Sequence, residues 1–183
     1  RHGNDDGLLP GLKLSLFDVS DPKNPKEIHT LIIEGDAYSE AQDNHRAFMV
    51  YPEKDIFGIP VTRYTYQQYY SEEKPEDGSA SVTVDAIGGG MISSFNTYTV
   101  KNNKIVPVRE YREADSVNRS AYYTSAIFRG TYINDTLYTL SGSAVTAFSM
   151  ADGKTLGSVK IQQPKYNDYY GYDYGVREPA FVD

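Results

Sequence analysis

The sequence predicts an all-β chain of four-stranded antiparallel sheets packed side by side, and three observations predict it. Apolar and polar side chains alternate with a period of two over most of the 183 residues, the pattern of strands with one buried face. One hairpin layout recurs three times, so the sheet is a repeated unit. Tyrosine is abundant, with 17 copies against 7 Phe and no Trp, and it is a strand former that keeps its hydroxyl in water.

Taken in order, "LKLSLFDV" (12–19) alternates as a half-buried strand. The Asp21-Pro22 and Asn24-Pro25 pairs that follow impose extended or turn geometry, so no helix continues there. The short side chains of Asp18 and Asp21 are expected to bond nearby amides and fix the turn before Pro22. "EIHTLII" (27–33) runs back as the partner strand and ends at Glu34-Gly35-Asp36. The same layout returns as "ISSFNTYTV" (92–100), "KNNK" and "IVPVREY" (105–111), and again as "AVTAFSM" (144–150), "ADGK" and "TLGSVKI" (155–161). Phe17, Tyr98 and Phe148 hold equivalent places, followed by Val19, Val100 and Met150.

A second hairpin precedes two of these. "HRAFMV", "YPEKD" and "IFGIPV" (45–61) match "FRGTYI", "NDT" and "LYTLSG" (128–142) in aromatic placement and turn chemistry. Two hairpins in succession give a four-stranded sheet of roughly 40 to 50 residues, the size of a propeller blade. Blades are expected at about 44–111, swollen by an insertion at 62–90, and at 126–161, with 11–35 supplying the outer half of a third. A blade alone has two open faces, so blades stack about an axis. The expectation is therefore one β-propeller-type domain over 1–183, a partial propeller of two and a half to three blades. It is either the C-terminal part of a larger ring, with upstream blades of the same parent chain as neighbours, or "PAFVD" in the Tyr-rich tail (162–183) folds back to complete the first sheet.

The stretches "GLKLSLFDVSDPKNPKE", "YSEAQDNHRAFMVYPEKDIFGIPV" and "YINDTLYTLSGSAVTAFSM" resemble the bacterial secreted proteins with a C-terminal β-propeller domain, distantly related to WD repeats. "FDVSDPKNP" is also similar to the LVIVD type of surface repeat. The resemblance covers most of 11–161 and implies a propeller, an extracellular or envelope-associated location, and no catalytic motif. The insertion and the tail depart from the pattern.

Composition narrows the partners. The net charge is −7 and Lys and Arg are scattered, so the basic footprint of a nucleic-acid binder is missing. No apolar stretch approaches the eighteen or so residues that span a bilayer, and no export leader is visible. The chain begins at Arg1 without Met and is read as cut from a longer one. Without Cys it has no disulfide and no thiol chemistry.

Motifs for chemistry are sparse, and neither a catalytic residue, a metal nor a cofactor is assigned. His2 and His29 lack metal-ligand spacing to another His. Glu40, Asp43 and His45 lie close in "SEAQDNHRAF". They form either an acid/base site of a propeller hydrolase or lyase, or a hydrogen-bonding set between neighbouring blades, and the second reading is preferred. Asp5-Asp6, Asp18-Asp21 and Asp168-Asp173 are read as solvated turn acids, because no twelve-residue calcium loop is present. "DAIGGGMISS" (85–94) lacks the Lys and Ser/Thr of a phosphate loop and precedes a strand, so it is read as a flexible entry to the second hairpin. Asn118 and Asn134 fit glycosylation sequons, coincidental in a bacterial protein.

The aromatics carry the functional expectation. "TRYTYQQYYSEEKPEDG" (62–78) places Tyr64, Tyr66, Tyr69 and Tyr70 in a long loop or extended hairpin, and the tail adds Tyr166, Tyr169, Tyr170, Tyr172 and Tyr174. Exposed tyrosines give large contact area at low entropic cost. They are read as the ligand-binding surface of a non-catalytic module for a protein or glycan; the competing account has them covering a bare blade face.

Overall fold

The structure, a computed structural model, describes residues 11–73, 81–113 and 126–161; within the long hairpin, 65–73 and 81–89 are described by backbone pairing alone. Among the described residues there is no α-helix, only three single turns of 3-10 helix, and every strand pair is antiparallel.

The first sheet is a hairpin of β1 (Leu12–Asp18) and β2 (Lys26–Ile33), registered Leu12 to Ile33. Its turn is held by the expected side-chain bonds: Asp18 accepts from the Ser20 amide at 2.9 Å and Asp21 from the Lys23 amide at 3.0 Å.

The middle sheet comprises β3 (Asp36–Tyr38), β4 (Met49–Tyr51), β5 (Ile56–Glu73), β6 (Ser81–Lys101) and β7 (Lys104–Arg112). β6 takes one edge of β5, while β3 and β4 share the other, opposite Thr62–Tyr64 and Ile56–Gly58. The interval between them holds Pro60, which has no amide to give to a ladder. Between β3 and β4 the chain leaves the sheet through turns at Glu40–Gln42 and His45–Ala47. Buried Ser39 caps the first: its hydroxyl accepts from Ala41 N at 3.2 Å, and Gln42 reaches back to Ser39 N at 3.2 Å. β3 was not expected from the sequence, because three residues after Gly35 carry no periodicity to read.

The third sheet, β8 (Ile127–Ile133), β9 (Thr136–Ser141), β10 (Ala144–Ser149) and β11 (Thr155–Lys160), is a four-stranded meander in the order β11-β10-β9-β8.

The middle sheet buries both faces. Alternation along β6 sends Phe95 to one side and Tyr98 to the other. Phe95, Met49 and Tyr111 pack with Ile127, Leu137 and Phe148 of the third sheet. On the opposite face, Ile59, Val61, Tyr98 and Ile105 pack with Leu12, and Leu14, Leu16, Leu31 and Ile33 of the first hairpin close over them. The sheets thus stack face to face in series, as blades do.

Polar contacts pin the stack at its ends. The Tyr51 hydroxyl donates to Asn134 O at 3.1 Å while its ring stacks on Tyr132 at 3.6 Å, and Lys54 bonds Asp135. At the outer edge the Arg109 guanidinium donates to Asp152 O at 2.7 Å and Ala151 O at 3.2 Å. The proposed closing strand in the tail, and the whole of 162–183, lie outside the described residues, as do 74–80, 114–125 and the first ten residues.

Candidate functional site

The insertion forms an arm. β3 pairs no further along β5 than Tyr64, and β7 pairs no further along β6 than Ser94. Beyond those points β5 and β6 continue together to the Glu73–Ser81 pair. Thr65–Glu73 is nine residues of strand, a projection of about 30 Å at the usual rise. Tyr, Thr, Val and Ile on both strands favour this conformation, and a bulge between Tyr69 and Tyr70 adds twist.

The pairing revises one expectation and places the tyrosine positions. The glycines 88–90 are no flexible entry: they lie within β6, opposite Gln67, Tyr66 and Thr65. Tyr66, Tyr69 and Tyr70 fall within the arm, where strand alternation places positions 66 and 70 on one side and 69 on the other, whereas Tyr64, half-buried, sits at its base opposite Asp36 of β3.

The base of the arm is fixed by charge. The Glu110 carboxylate on β7 receives Arg63 from β5 and the Arg112 guanidinium at 2.9 and 3.0 Å. Burial pushes the Glu110 carboxyl up, but the Arg112 hydrogen bond and the Arg63 charge outweigh it and hold the group below its ordinary range.

The alternative acid/base set is not assembled by the described residues. His45 is exposed in its 3-10 turn, and Glu40 and Asp43 both accept from the Tyr38 hydroxyl, at 3.2 and 3.1 Å. Burial, then the bond to Asp43 and the charge of Glu40, push the Tyr38 phenol up to about 12. Asp43 therefore serves a local contact within its own sheet. His29 is the histidine that joins two sheets, its Nδ1 accepting from the Ile105 amide at 3.2 Å. Among the described residues no three His, Cys, Asp or Glu are grouped to hold a metal, and no helix is long and apolar enough to cross a membrane.

One feature escaped the sequence altogether. A cleft of about 270 Å³ opens between β2 and the β6–β7 pair, walled by Leu31, Ile33, Pro107 and Val108. Asn96 lines it, with a buried carboxamide oxygen that has no hydrogen-bond partner. Its walls come from two sheets, so no local pattern marks it.

The sequence model of a family described as "Beta propeller domain" matches residues 1–153. An uncharacterized protein of Archaeoglobus fulgidus is 38% identical over 61 residues, covering 33% of this chain and 10% of that protein. The match thus spans about a tenth of the relative's length. No solved structure matches.

Proposed function

The chain belongs to the β-propeller domain family, and on that premise we propose that it is a non-catalytic extracellular or cell-envelope module that binds a protein or glycan partner through its projecting arm. The carrying observation is the arm itself: Tyr66, Tyr69 and Tyr70 sit on a ribbon that runs beyond both neighbouring strands from a base that holds Tyr64 and is locked by Arg63, Glu110 and Arg112. A rigid stack presenting tyrosines on a projecting element suits recognition, because the aromatic area is offered at low entropic cost. A non-catalytic role is further supported by Glu40 and Asp43 being tied to Tyr38 and by His45 standing apart in solvent. The extracellular placement is supported by the resemblance of residues 11–161 to secreted propeller proteins, with further blades of the parent chain as intramolecular partners.

The test is retention of fluorescently labelled protein on immobilised polysaccharides and on intact cells. Replacing Tyr64, Tyr66, Tyr69 and Tyr70 together by Ala abolishes retention while leaving the urea midpoint in place. Equal retention of the two proteins removes the arm from the binding surface. Appearance of the full-length parent only in the cytosolic fraction removes the extracellular placement.

A further inference from the structure

Among the described strands β7 ends the middle sheet, so amides along its outer edge have no neighbouring strand to take them. Ile105, buried at 5% exposure, gives its amide instead to His29 Nδ1 of the first hairpin at 3.2 Å. A backbone N–H only donates, so this nitrogen carries a lone pair and the proton of the neutral ring sits on Nε2. In the imidazolium both ring nitrogens are donors, and no rotation of the ring restores an acceptor. Protonation therefore turns one N–H toward another and strands a buried amide. His29 itself is half-buried, so a proton reaches it from solvent.

The groups around the ring do not compensate for that loss. On β1, Leu16 stands opposite His29. Phe17 stands opposite Glu27, which puts that acid on the other face of the hairpin, where it bonds Lys13 and Thr30. Asp18, farther along β1 opposite Lys26, accepts from the Ser20 amide. From the middle sheet come Tyr98, a phenol that burial pushes up, and Lys104, which precedes Ile105 and pairs with Lys101. Among the described residues no carboxylate is ion-paired with His29.

The interface with the third sheet is pinned differently. There Tyr51 donates to Asn134 O, Arg109 to two carbonyls, and the Ser93 hydroxyl accepts from the buried Ile127 amide at 2.7 Å. None of these groups changes charge between about pH 5 and pH 8, the range in which imidazoles do.

We propose that His29 is a pH-sensitive clasp: its protonation releases β2 from β7 and widens the cleft between them, while the third sheet stays docked. The cleft walls begin two residues beyond the bond on each strand, at Leu31 and Pro107, so the clasp sits at their foot. The docked state needs the ring unprotonated and the released state takes up a proton. Release is therefore favoured as pH falls, and docking as it rises. The clasp is independent of the arm and of what the arm binds.

The experiment is amide hydrogen exchange of the 183-residue chain, followed by NMR from about pH 8 to about pH 5 and corrected for the intrinsic rate at each pH. Protection of Ile105 is expected to fall about tenfold or more and to return when the pH is restored, while Ile127, the matching amide at the other interface, keeps its protection. His29→Asn places an uncharged acceptor where Nδ1 stood and is expected to make Ile105 protection independent of pH. His29→Leu, with no acceptor, is expected to leave Ile105 weakly protected throughout. Constant Ile105 protection in the unaltered chain, or an equal fall in His29→Asn, overturns the clasp. So does a fall shared by Ile127, which reports loosening of the whole stack.

Discussion

The Phe95 ring shows how single residues set the spacing of the stack. It is fully buried between the middle and third sheets, and Cβ atoms built on Gly58 and Gly130 would each lie 2.5 Å from it. A methyl group therefore fits at neither glycine without moving a ring that has nowhere to go. Gly130→Ala is expected to lower stability by roughly 1–3 kcal/mol through overpacking, and Phe95→Ala by roughly 3–5 kcal/mol through loss of burial and the cavity left behind. Urea unfolding followed by tyrosine fluorescence measures both, and an unchanged midpoint for Gly130→Ala contradicts the packing account. Charge acts at this scale too. The Ser149 hydroxyl, then the ammonium and amide of Lys154, hold Asp152 down at about 2. A depressed acid contributes stability above its unfolded pKa of about 3.9 and loses it as pH falls through the folded value. Between about pH 4 and pH 2 the native chain should lose stability more steeply than Asp152→Asn, and parallel curves of urea midpoint against pH count against this role. The Asp18 and Asp21 turn bonds were legible from the Asp-x-x-Asp-Pro run, because such bonds close within two residues of chain.

Elements of five residues or more followed their own side-chain period. β1, β2 and β7 to β11 fall where alternation and turn residues place them, since a strand's period and its turn are local properties. β3 is the counterexample: Asp36–Tyr38 becomes a strand only because β5 offers an edge opposite Thr62–Tyr64. The insertion was legible as a hairpin or a loop, and pairing across eighteen positions of β5 decided for the hairpin. It runs beyond both neighbouring strands, since β3 and β7 pair no further than Tyr64 and Ser94. Replacing 66–89 by a two-residue Asn-Gly turn should therefore leave the unfolding free energy within about 0.5 kcal/mol of the parent, read by urea titration at a concentration where both are monomeric. A larger loss assigns the arm a share of the core.

At the scale of the molecule, the middle sheet is the shared partner of two hydrophobic interfaces, and the edges are exposed. β11 is exposed at every position, while β6 buries Ser93, Ser94, Phe95, Thr97, Tyr98 and Thr99. Amide hydrogen exchange should accordingly be slowest in Ser93–Thr99 and fastest among the strands in Thr155–Lys160, and the opposite order contradicts a stack centred on β6. The far face of the third sheet still shows Ile133 and Val159, 61% and 71% exposed, in keeping with a partial ring whose next blade is not among the described strands. Arg109 spans the outer interface through two carbonyls, so Arg109→Ala should cost about 1 kcal/mol and detach the 151–153 turn first, visible as faster exchange at Lys154.

Alternation, proline turns and a hairpin recurring at three places were sufficient to specify an all-β chain of antiparallel hairpins, because each depends on contacts within a few residues or across one turn. Which histidine links two sheets, where the cleft opens, how the arm's tyrosines divide between its faces, and that Phe95 rests on two glycines from different blades depend on register and stacking. Those are contacts between residues far apart along the chain, and they come into being only when one sheet covers the next.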